Sequence, residues 1–117
     1  MQQPDNSTVL LVTRNGIGST TDADLQHRLA KTYFGLLAEH DILPNAICFY
    51  TDGVRLVCEG SPVLDELRAL EAKGVRLIIC STCLNAFGLK DSVAVGIVGG
   101  MPDIVDAQWR ADKVITL

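Results

Sequence analysis

Short apolar runs alternate with amphipathic stretches along the whole chain. The apolar runs are rich in β-branched residues and predict buried strands, whereas leucines that recur every three or four residues predict helices. The predicted strands cover residues 8–12, 46–51, 75–79, 93–98 and 114–117. Predicted helices cover residues 22–39, 61–73, a short stretch after residue 80, and residues 102–110. This order predicts an α/β fold, a three-layer, five-stranded, mainly parallel sheet with helices on both faces.

Two of the predicted helices carry clear sequence signals. Ser61 followed by Pro62 is a capping hydroxyl before a proline at the first helical position, so we expect a helix to start there. Gly74 is expected to end this helix. On the first helix, the large side chains that share one face predict the buried stripe. They are Leu25, Leu29, Tyr33 and Leu36 or Leu37.

The composition fits one globular domain. The 117 residues are 48% hydrophobic, which is enough to build a core. We expect a flexible N-terminus over residues 1–7 and a single domain over residues 8–117. The net charge of −4 and the aromatic content of 5% argue against nucleic-acid binding, which needs a basic surface and stacking platforms. A polar start and the lack of a long apolar run predict a cytoplasmic protein without membrane contact.

A Cys-x-x-Cys pair lies where the third strand meets the helix after it. Cys80 ends the strand, and Cys83 falls in or beside the first helical turn. Ser81 or Thr82 is expected to cap this helix, and Gly88 to end it. N–H groups at a helix start stabilise an anion, so we expect a lowered pKa for Cys83. The pair is therefore the leading candidate for reactive thiol chemistry.

Four loops follow the carboxyl ends of the predicted strands. Ligands of parallel α/β sheets bind at this edge, near the point where the strand order reverses. The loops contain both cysteines of the pair, Cys58, most loop glycines, and the positive charges of Arg14 and Arg55. Their convergence predicts a site at this edge. The loops are residues 14–21, 52–60, 81–82 with the flanking cysteines, and 99–101.

The first of these loops, residues 15–21, has the residue types of an anion cradle. Glycines let the backbone approach an anion, while hydroxyls and helix N–H groups can bind it. A helix-capping loop with turn glycines explains the same residues, so both interpretations stay open. The candidate anion-binding residues are Asn15, Gly16, Gly18, Ser19 and Thr20.

Packed core thiols and a zinc site are the alternatives to a reactive pair. A zinc site needs two further ligands, and the remaining cysteines and histidines lack matching spacing. Cys48 is predicted to be an inert core thiol, and Cys58 is either structural or a partner of the pair. His27 and His40 are predicted to lie at the surface, and Trp109 in the core or at a subunit contact.

Three segments resemble the DsrE/DsrF-like family, and most closely the C-terminal domain of YedF-type proteins. The resemblance extends over nearly the whole chain from Val9. Its most specific part is the Cys-x-Thr-Cys-Leu sequence that begins at Cys80. The segments are residues 59–64 (EGSPVL), 74–90 (GVRLIICSTCLNAFGLK) and 111–115 (ADKVI).

This resemblance implies a flavodoxin-like, DsrEFH-like fold, homo-oligomers that are trimers or hexamers, and sulfur carried as a cysteine persulfide. The carrier cysteine of sulfur-relay members ends the third strand, which matches Cys80 here. YedF-type proteins are linked to selenium metabolism and carry an N-terminal TusA-like domain. The present sequence shows no such segment, so we expect a TusA-like sulfur carrier as a separate partner.

Two functional hypotheses follow. The first is a sulfur or selenium carrier, sulfurtransferase-like, that forms a persulfide on Cys80 or Cys83, without a cofactor or metal. Helix position favours Cys83 as the nucleophile and the resemblance favours Cys80, so the order stays open. The second is a non-catalytic module that binds a small anion, nucleotide or flavin through the loop of residues 15–21.

Overall fold

Five parallel strands form the centre of the molecule, in the order β4-β3-β2-β1-β5. The computed structural model describes residues 5–117, and all four strand pairings in this range are parallel. The predicted α/β fold class is confirmed. The strands are β1 (Asp5–Val12), β2 (Pro44–Phe49), β3 (Arg76–Cys80), β4 (Ile97–Gly99) and β5 (Lys113–Thr116).

Helices connect the strands. They are α1 (Ala23–Glu39), α2 (Leu64–Ala72), α3 (Ser81–Phe87) and α4 (Met101–Arg110), with short 3₁₀ helices at Thr51–Val57 and Lys90–Ser92. The first 3₁₀ helix is called the 51–57 helix below. Within residues 5–117, no helix is long and apolar enough to cross a membrane.

The sheet separates two apolar cores because successive side chains of a strand point to opposite faces. On one face, α1, α2 and α3 contribute Phe34, Leu67 and Leu84 to the larger core, and all three are fully buried. On the other face, α4 contributes Ile104 and Ala107 to a smaller core. The predicted helices on both faces are present, but three cover one face and one covers the other.

The buried stripe of α1 differs from the prediction. Ala30, Phe34 and Leu37 are buried, whereas Leu25 and Leu29 are 39% and 46% exposed. The helix carries two apolar stripes at helical spacing, and periodicity alone does not say which one faces the sheet. The expected stripe was therefore only partly correct: Leu37 is buried and Tyr33 packs against the core, but Leu25 and Leu29 are exposed because the stripe that contains the fully buried Phe34 packs on the sheet.

Several predicted boundaries shift by a few residues. Ser61 Oγ accepts a hydrogen bond from Val63 N at 3.2 Å, and α2 begins at Leu64 rather than at Ser61. Gly74 follows α2 with a φ of +94°, as expected for a residue that ends a helix. The predicted flexible segment 1–7 lies partly outside the described residues, and β1 begins at Asp5, before the predicted strand start.

The fourth strand is shorter than predicted. It spans Ile97–Gly99, whereas Val93 forms an antiparallel bridge with Cys58. Gly96 separates the two segments with a φ of +87°, in the left-handed region that favours glycine. A Cβ there would lie 2.8 Å from Ile79 Cδ1. The apolar pattern of residues 93–98 predicted one strand, but the turn at Gly96 divides it.

Candidate thiol site

The Cys-x-x-Cys pair lies at the carboxyl edge of the sheet, as predicted. Cys80 is both the last residue of β3 and the N-cap of α3, with extended backbone angles and no side-chain capping bond. The expected cap by Ser81 or Thr82 was wrong, because the helix already begins at Ser81. Gly88 ends α3 in the left-handed conformation, with a φ of +68°.

Cys83 receives a hydrogen bond from the backbone of the 51–57 helix. Thr51 N–H donates to Cys83 Sγ at 3.1 Å. Thr51 has a φ of +49°, which is unusual for a β-branched residue and costs on the order of 1–3 kcal/mol. Its Oγ1 donates to the carbonyl of Thr13 at 2.6 Å, which holds this residue in place. The strained backbone thus aims an N–H group at the thiol.

Close packing of the 51–57 helix on β1 requires a glycine. Tyr50 N–H donates to the carbonyl of Val12 at 3.1 Å. A Cβ at Gly53 would lie 2.0 Å from the same carbonyl oxygen, so any larger residue has to displace the backbone. Gly53 therefore lets the helix approach close enough for Thr51 to reach Cys83.

The two thiols of the pair differ in accessibility. Cys80 is 1% exposed and belongs to the smaller core, whereas Cys83 is partly exposed and packs against both cores. All four cysteines are free thiols, and Cys80 is near enough to Cys83 to raise its pKa. A small reagent from solvent therefore reaches Cys83 before Cys80.

The pKa of Cys83 is raised, not lowered. Burial is the main cause, the Thr51 N–H lowers the pKa, and both the hydrogen bond and the charge of Cys80 raise it. Burial disfavours the thiolate because the anion loses contact with water. The expected low pKa was wrong, since the helix position was visible in the sequence and the burial was not.

Cys48 lies in the core, as predicted, and its inertness stays a prediction. It lies in the middle of the sheet in β2, fully buried, and burial raises its pKa to about 11 although Arg76 lowers it. A thiol without solvent access and with so high a pKa is expected to be inert.

Arg55 places a positive charge on the face of α3 that contains Cys83. Its guanidinium lies 4.3 Å from the centre of the Phe87 ring. Phe87 follows Cys83 by four residues, so the two side chains lie on one face of the helix. Asp52 also pairs with Arg55 at 3.4 Å. Arg14, the other predicted source of positive charge, is exposed and forms no ion pair with any described residue.

The loop of residues 15–21 forms hydrogen bonds with Gln26 of α1. Ile17 N–H donates to the carbonyl of Gln26 at 3.2 Å, and Gln26 Nε2 donates to the carbonyl of Gly18 at 2.7 Å. Gly16 has a φ of +144°, and a Cβ there would lie 2.4 Å from Gln26 Cβ. These contacts fasten the loop to α1, and two of its glycines take part in them.

The start of α1 is capped by the chain itself. Asp22 Oδ1 accepts from Leu25 N–H at 3.1 Å, and Thr20 Oγ1 accepts from Asp22 N–H at 3.1 Å. Ser19 is exposed. A carboxylate therefore already occupies part of the position that an anion would take at this helix start.

A cavity of about 260 Å³ has Arg55 in its lining but neither cysteine of the pair, and it is called the Arg55 cavity. Asn15 connects it to the predicted anion loop. Cys58 lies in its wall, 4% exposed, and donates to the carbonyl of Val54 at 3.2 Å. Polar and charged side chains make up much of the lining. They are Asn15, His27, Arg55, Cys58, Glu59 and Ser61.

The sequence did not indicate the role of several residues near this edge. His27 was expected at the surface, but it is half-buried, and its buried Nε2 has no hydrogen-bond partner among residues 5–117. His40 is exposed as expected, at the C-cap of α1. Thr51 acts through its backbone, for which side-chain patterns give no signal.

Comparison with known proteins decides the family. The chain matches the model of the DsrE/DsrF-like family over residues 7–117. It belongs to this family. No curated protein sequence matches the chain.

Solved structures of the same fold come from bacteria and an archaeon. The ychN protein of E. coli aligns with a TM-score of 0.68 at 19% identity. The alignment covers 99% of the present chain and 100% of the ychN chain. A conserved protein of unknown function from Bacteroides thetaiotaomicron has a TM-score of 0.67 at 16% identity, covering 96% of both chains. A protein of unknown function from Methanobacterium thermoautotrophicum aligns with a TM-score of 0.65 at 21% identity. The alignment covers 94% of the present chain and 97% of the archaeal chain. These similarities establish the fold.

Proposed function

We propose that this protein is a sulfur carrier that forms a persulfide on the Cys80–Cys83 pair, with Cys83 as the first acceptor. The observation that carries the proposal is the partly exposed Cys83 thiol, with the Thr51 N–H at 3.1 Å from its sulfur. Membership in the DsrE/DsrF-like family, which is related to sulfur relay, supports the same chemistry.

The loading step needs no oxidant. The Cys83 thiolate attacks the outer sulfur of a persulfide donor, the donor S–S bond breaks, and the donor leaves as a thiolate. Cys83 then carries the outer sulfur. The Thr51 N–H stabilises negative charge at the Cys83 sulfur, as hydrogen bonds to a charged form do.

The second thiol gives the pair two ways to release sulfur. An acceptor thiolate can take the outer sulfur and return Cys83 to a thiolate. Alternatively, Cys80 attacks the Cys83 sulfur, hydrosulfide leaves, and a Cys80–Cys83 disulfide remains. This second route requires a dithiol that reduces the disulfide before the next cycle. The position of Cys80 three residues before Cys83, at the junction of β3 and α3, supports the second route.

A relationship to YedF-type proteins is part of the same proposal. The Cys-x-Thr-Cys-Leu sequence at Cys80 supports a relation to the C-terminal domain of YedF-type proteins, with a TusA-like protein as the exchange partner. Selenium can replace sulfur in the loading step without any change in the balance of atoms.

We also propose that copies of this chain associate through the surface around α4. Trp109 is 84% exposed, not packed in the core, and Ile97 on the edge strand β4 is 65% exposed. Other large apolar side chains near them are 40–50% exposed, namely Val98, Met101, Val105 and Val114. A Trp109→Glu variant is expected to lower the oligomer order in sedimentation velocity, and an unchanged sedimentation coefficient would exclude this surface.

The binding-module alternative has less support. The loop of residues 15–21 is fastened to α1 by its own contacts, and Asp22 caps the helix start. The Arg55 cavity, at about 260 Å³, is below the roughly 300 Å³ at which pockets for drug-sized ligands begin. A nucleotide or flavin is therefore a poor match for this edge.

Sulfur stoichiometry tests the proposed function. Reduced protein is treated with polysulfide, desalted, and assayed for sulfane sulfur by cyanolysis. We expect Cys83→Ser and the Cys80→Ser/Cys83→Ser double variant to lose most of the sulfur that the wild type holds. Cys48→Ser is the matched control and is expected to retain it. Equal sulfur in the wild type and the double variant contradicts the proposal.

A further inference from the structure

The Arg55 cavity contains opposite charges around a thiol. Arg55 is 41% exposed, and its contacts with Phe87 and Asp52 hold the guanidinium in place. Glu59 also lines the cavity and forms no ion pair with any residue that the structure describes. Cys58 lies one residue before Glu59, in the cavity wall. A ligand here meets one cation, one anion and one sulfur.

Both charges act on the Cys58 sulfur. Burial raises the pKa of Cys58, the positive charge of Arg55 lowers it, and the negative charge of Glu59 raises it. Arg55, Cys58 and Glu59 also line one cavity of about 260 Å³. The cavity thus contains a thiol together with the two opposite charges that a zwitterion-binding site needs.

An unpartnered nitrogen adds a further polar group to the lining. His27 Nε2 is buried and has no hydrogen-bond partner within residues 5–117. A buried polar atom of this kind is costly unless a ligand or water satisfies it. His27 comes from α1, opposite the segment that contributes Arg55, Cys58 and Glu59, so the cavity is polar on two sides.

We propose that the Arg55 cavity binds a small zwitterionic amino-acid thiol and its persulfide, with the carboxylate on Arg55, the ammonium on Glu59 and the sulfur at Cys58. Guanidinium groups bind carboxylates in a bidentate geometry, which favours Arg55 for this end of the ligand. The volume of about 260 Å³ is sufficient for one amino acid.

The sulfur chemistry of this proposal is an exchange without an oxidant, and it rests on the proposed function. The Cys58 thiolate attacks the outer sulfur of the amino-acid persulfide, and the S–S bond of the donor breaks. The amino-acid thiolate leaves and takes up the proton that Cys58 lost. Cys58 becomes a persulfide, and the free amino-acid thiol is the second product.

Cys58 is a separate acceptor and not a third member of the pair. Thr51, which contacts Cys83, begins the 51–57 helix, and Cys58 follows its end. A 3₁₀ helix rises about 2 Å per residue, so its seven residues span roughly 14 Å. The two thiols are therefore associated with opposite ends of this helix.

Binding is tested with a ligand that cannot transfer sulfur. S-methyl-L-cysteine is titrated into reduced wild-type protein by calorimetry, beside N-acetyl-S-methyl-L-cysteine and S-methyl-L-cysteine methyl ester. We expect each analogue, which lacks one charge, to bind at least tenfold more weakly. Equal affinity of the three compounds, or no saturable binding of S-methyl-L-cysteine, would overturn the proposal.

Variants assign the two charges. Arg55→Gln and Glu59→Gln are each expected to weaken binding of S-methyl-L-cysteine about tenfold. Arg68→Gln and Glu39→Gln change the same residue types at exposed positions elsewhere and are expected to bind as the wild type. Arg55→Lys keeps the charge and is expected to bind with intermediate affinity. Wild-type affinity in both Arg55→Gln and Glu59→Gln overturns the assignment.

The transfer step is tested without the pair. The Cys80→Ser/Cys83→Ser variant is treated with cysteine persulfide, alkylated and mapped by peptide mass spectrometry. We expect added sulfur on Cys58, reduced at least fivefold by Glu59→Gln in the same background. Unmodified Cys58 overturns the transfer step here, whereas failure of Cys83 to load in the wild type counts only against the proposed function.

Discussion

The two ends of the 51–57 helix place thiols in contrasting surroundings. At its start, Cys83 contacts a backbone N–H and the neighbouring thiol of Cys80. Past its end, Cys58 lies in a cavity whose lining includes a cation and an anion. Cys83 is partly exposed, whereas Cys58 is 4% exposed and lines the cavity. The first site suits exchange with a thiol on another protein, and the second suits selection of a small ligand.

In the two proposals, one short helix has a reactive thiol at its start and a ligand-binding cavity at its end. The N–H of Thr51 stabilises negative charge on the Cys83 sulfur. It does not select between different sulfur donors. The side chains of Arg55 and Glu59 instead match a particular arrangement of charges. If both proposals hold, this protein receives sulfur from a macromolecule at one end of the helix and from a small molecule at the other.

The largest expected effect comes from disturbing the helix that both sites share. Gly53→Ala adds a Cβ 2.0 Å from the carbonyl oxygen of Val12, so the 51–57 helix has to move. We expect the free energy of unfolding to fall by about 3 kcal/mol, measured by urea denaturation. Because the Thr51 N–H is displaced, the pKa of Cys83 is expected to rise further.

Gly35→Ala is the matched control for this variant. Gly35 lies inside α1, where the nearest heavy atom to an added Cβ is 3.8 Å away. Alanine favours the helix over glycine by up to about 1 kcal/mol, so this variant is expected to be as stable as the wild type or more stable. Equal destabilisation by both substitutions would show that the tight contact at Gly53 has no special role.

The next effect separates the members of the pair. Cys80 raises the pKa of Cys83 through a hydrogen bond and through charge. Cys80→Ala removes both contributions, so the pKa of Cys83 is expected to fall. The pH dependence of Cys83 alkylation, followed by peptide mass spectrometry, is expected to shift to lower pH, because the thiolate forms earlier. Cys48→Ala, a buried thiol elsewhere, is the control and is expected to leave the profile unchanged.

The smallest expected effect has opposite signs in two variants. Arg55 lowers the pKa of Cys58 and Glu59 raises it. Arg55→Gln is therefore expected to move Cys58 alkylation to higher pH, and Glu59→Gln to lower pH, each by less than about one pH unit because both side chains are partly exposed to water. Cys83 serves as the internal reference in both variants. Shifts of the same sign would mean that the two charges do not flank Cys58.

Much of the fold could be predicted from the sequence, because the strands and helices alternate and their apolar patterns are distinct. Gly74 and Gly88 were correctly assigned as helix ends, since each follows an amphipathic stretch. The stripe of α1 was only partly correct: Leu37 is buried, but Leu25 and Leu29 are exposed, and they have the same spacing as the buried Phe34 and its neighbours. Choosing between two apolar stripes requires the position of the sheet.

The candidate site was only partly visible in the sequence. The position of Cys80 and Cys83 at the strand–helix junction follows from local patterns and was located correctly. The direction of the Cys83 pKa shift was predicted incorrectly, because burial depends on residues distant in sequence. The Thr51 N–H and the pairing of Arg55 with Phe87 arise from contacts between separate segments, for which the sequence provides no period or motif.

The most direct measurement is the location of sulfur in the first seconds of loading. Reduced wild-type protein is mixed with a persulfide-loaded TusA-like carrier, quenched with an alkylating reagent, and mapped by peptide mass spectrometry. The account predicts that sulfur appears first on Cys83, with Cys48 unmodified throughout and Cys58 unmodified by this protein donor. Sulfur spread evenly over all four cysteines, or absent from Cys83, would contradict the proposal that the pair is the carrier site.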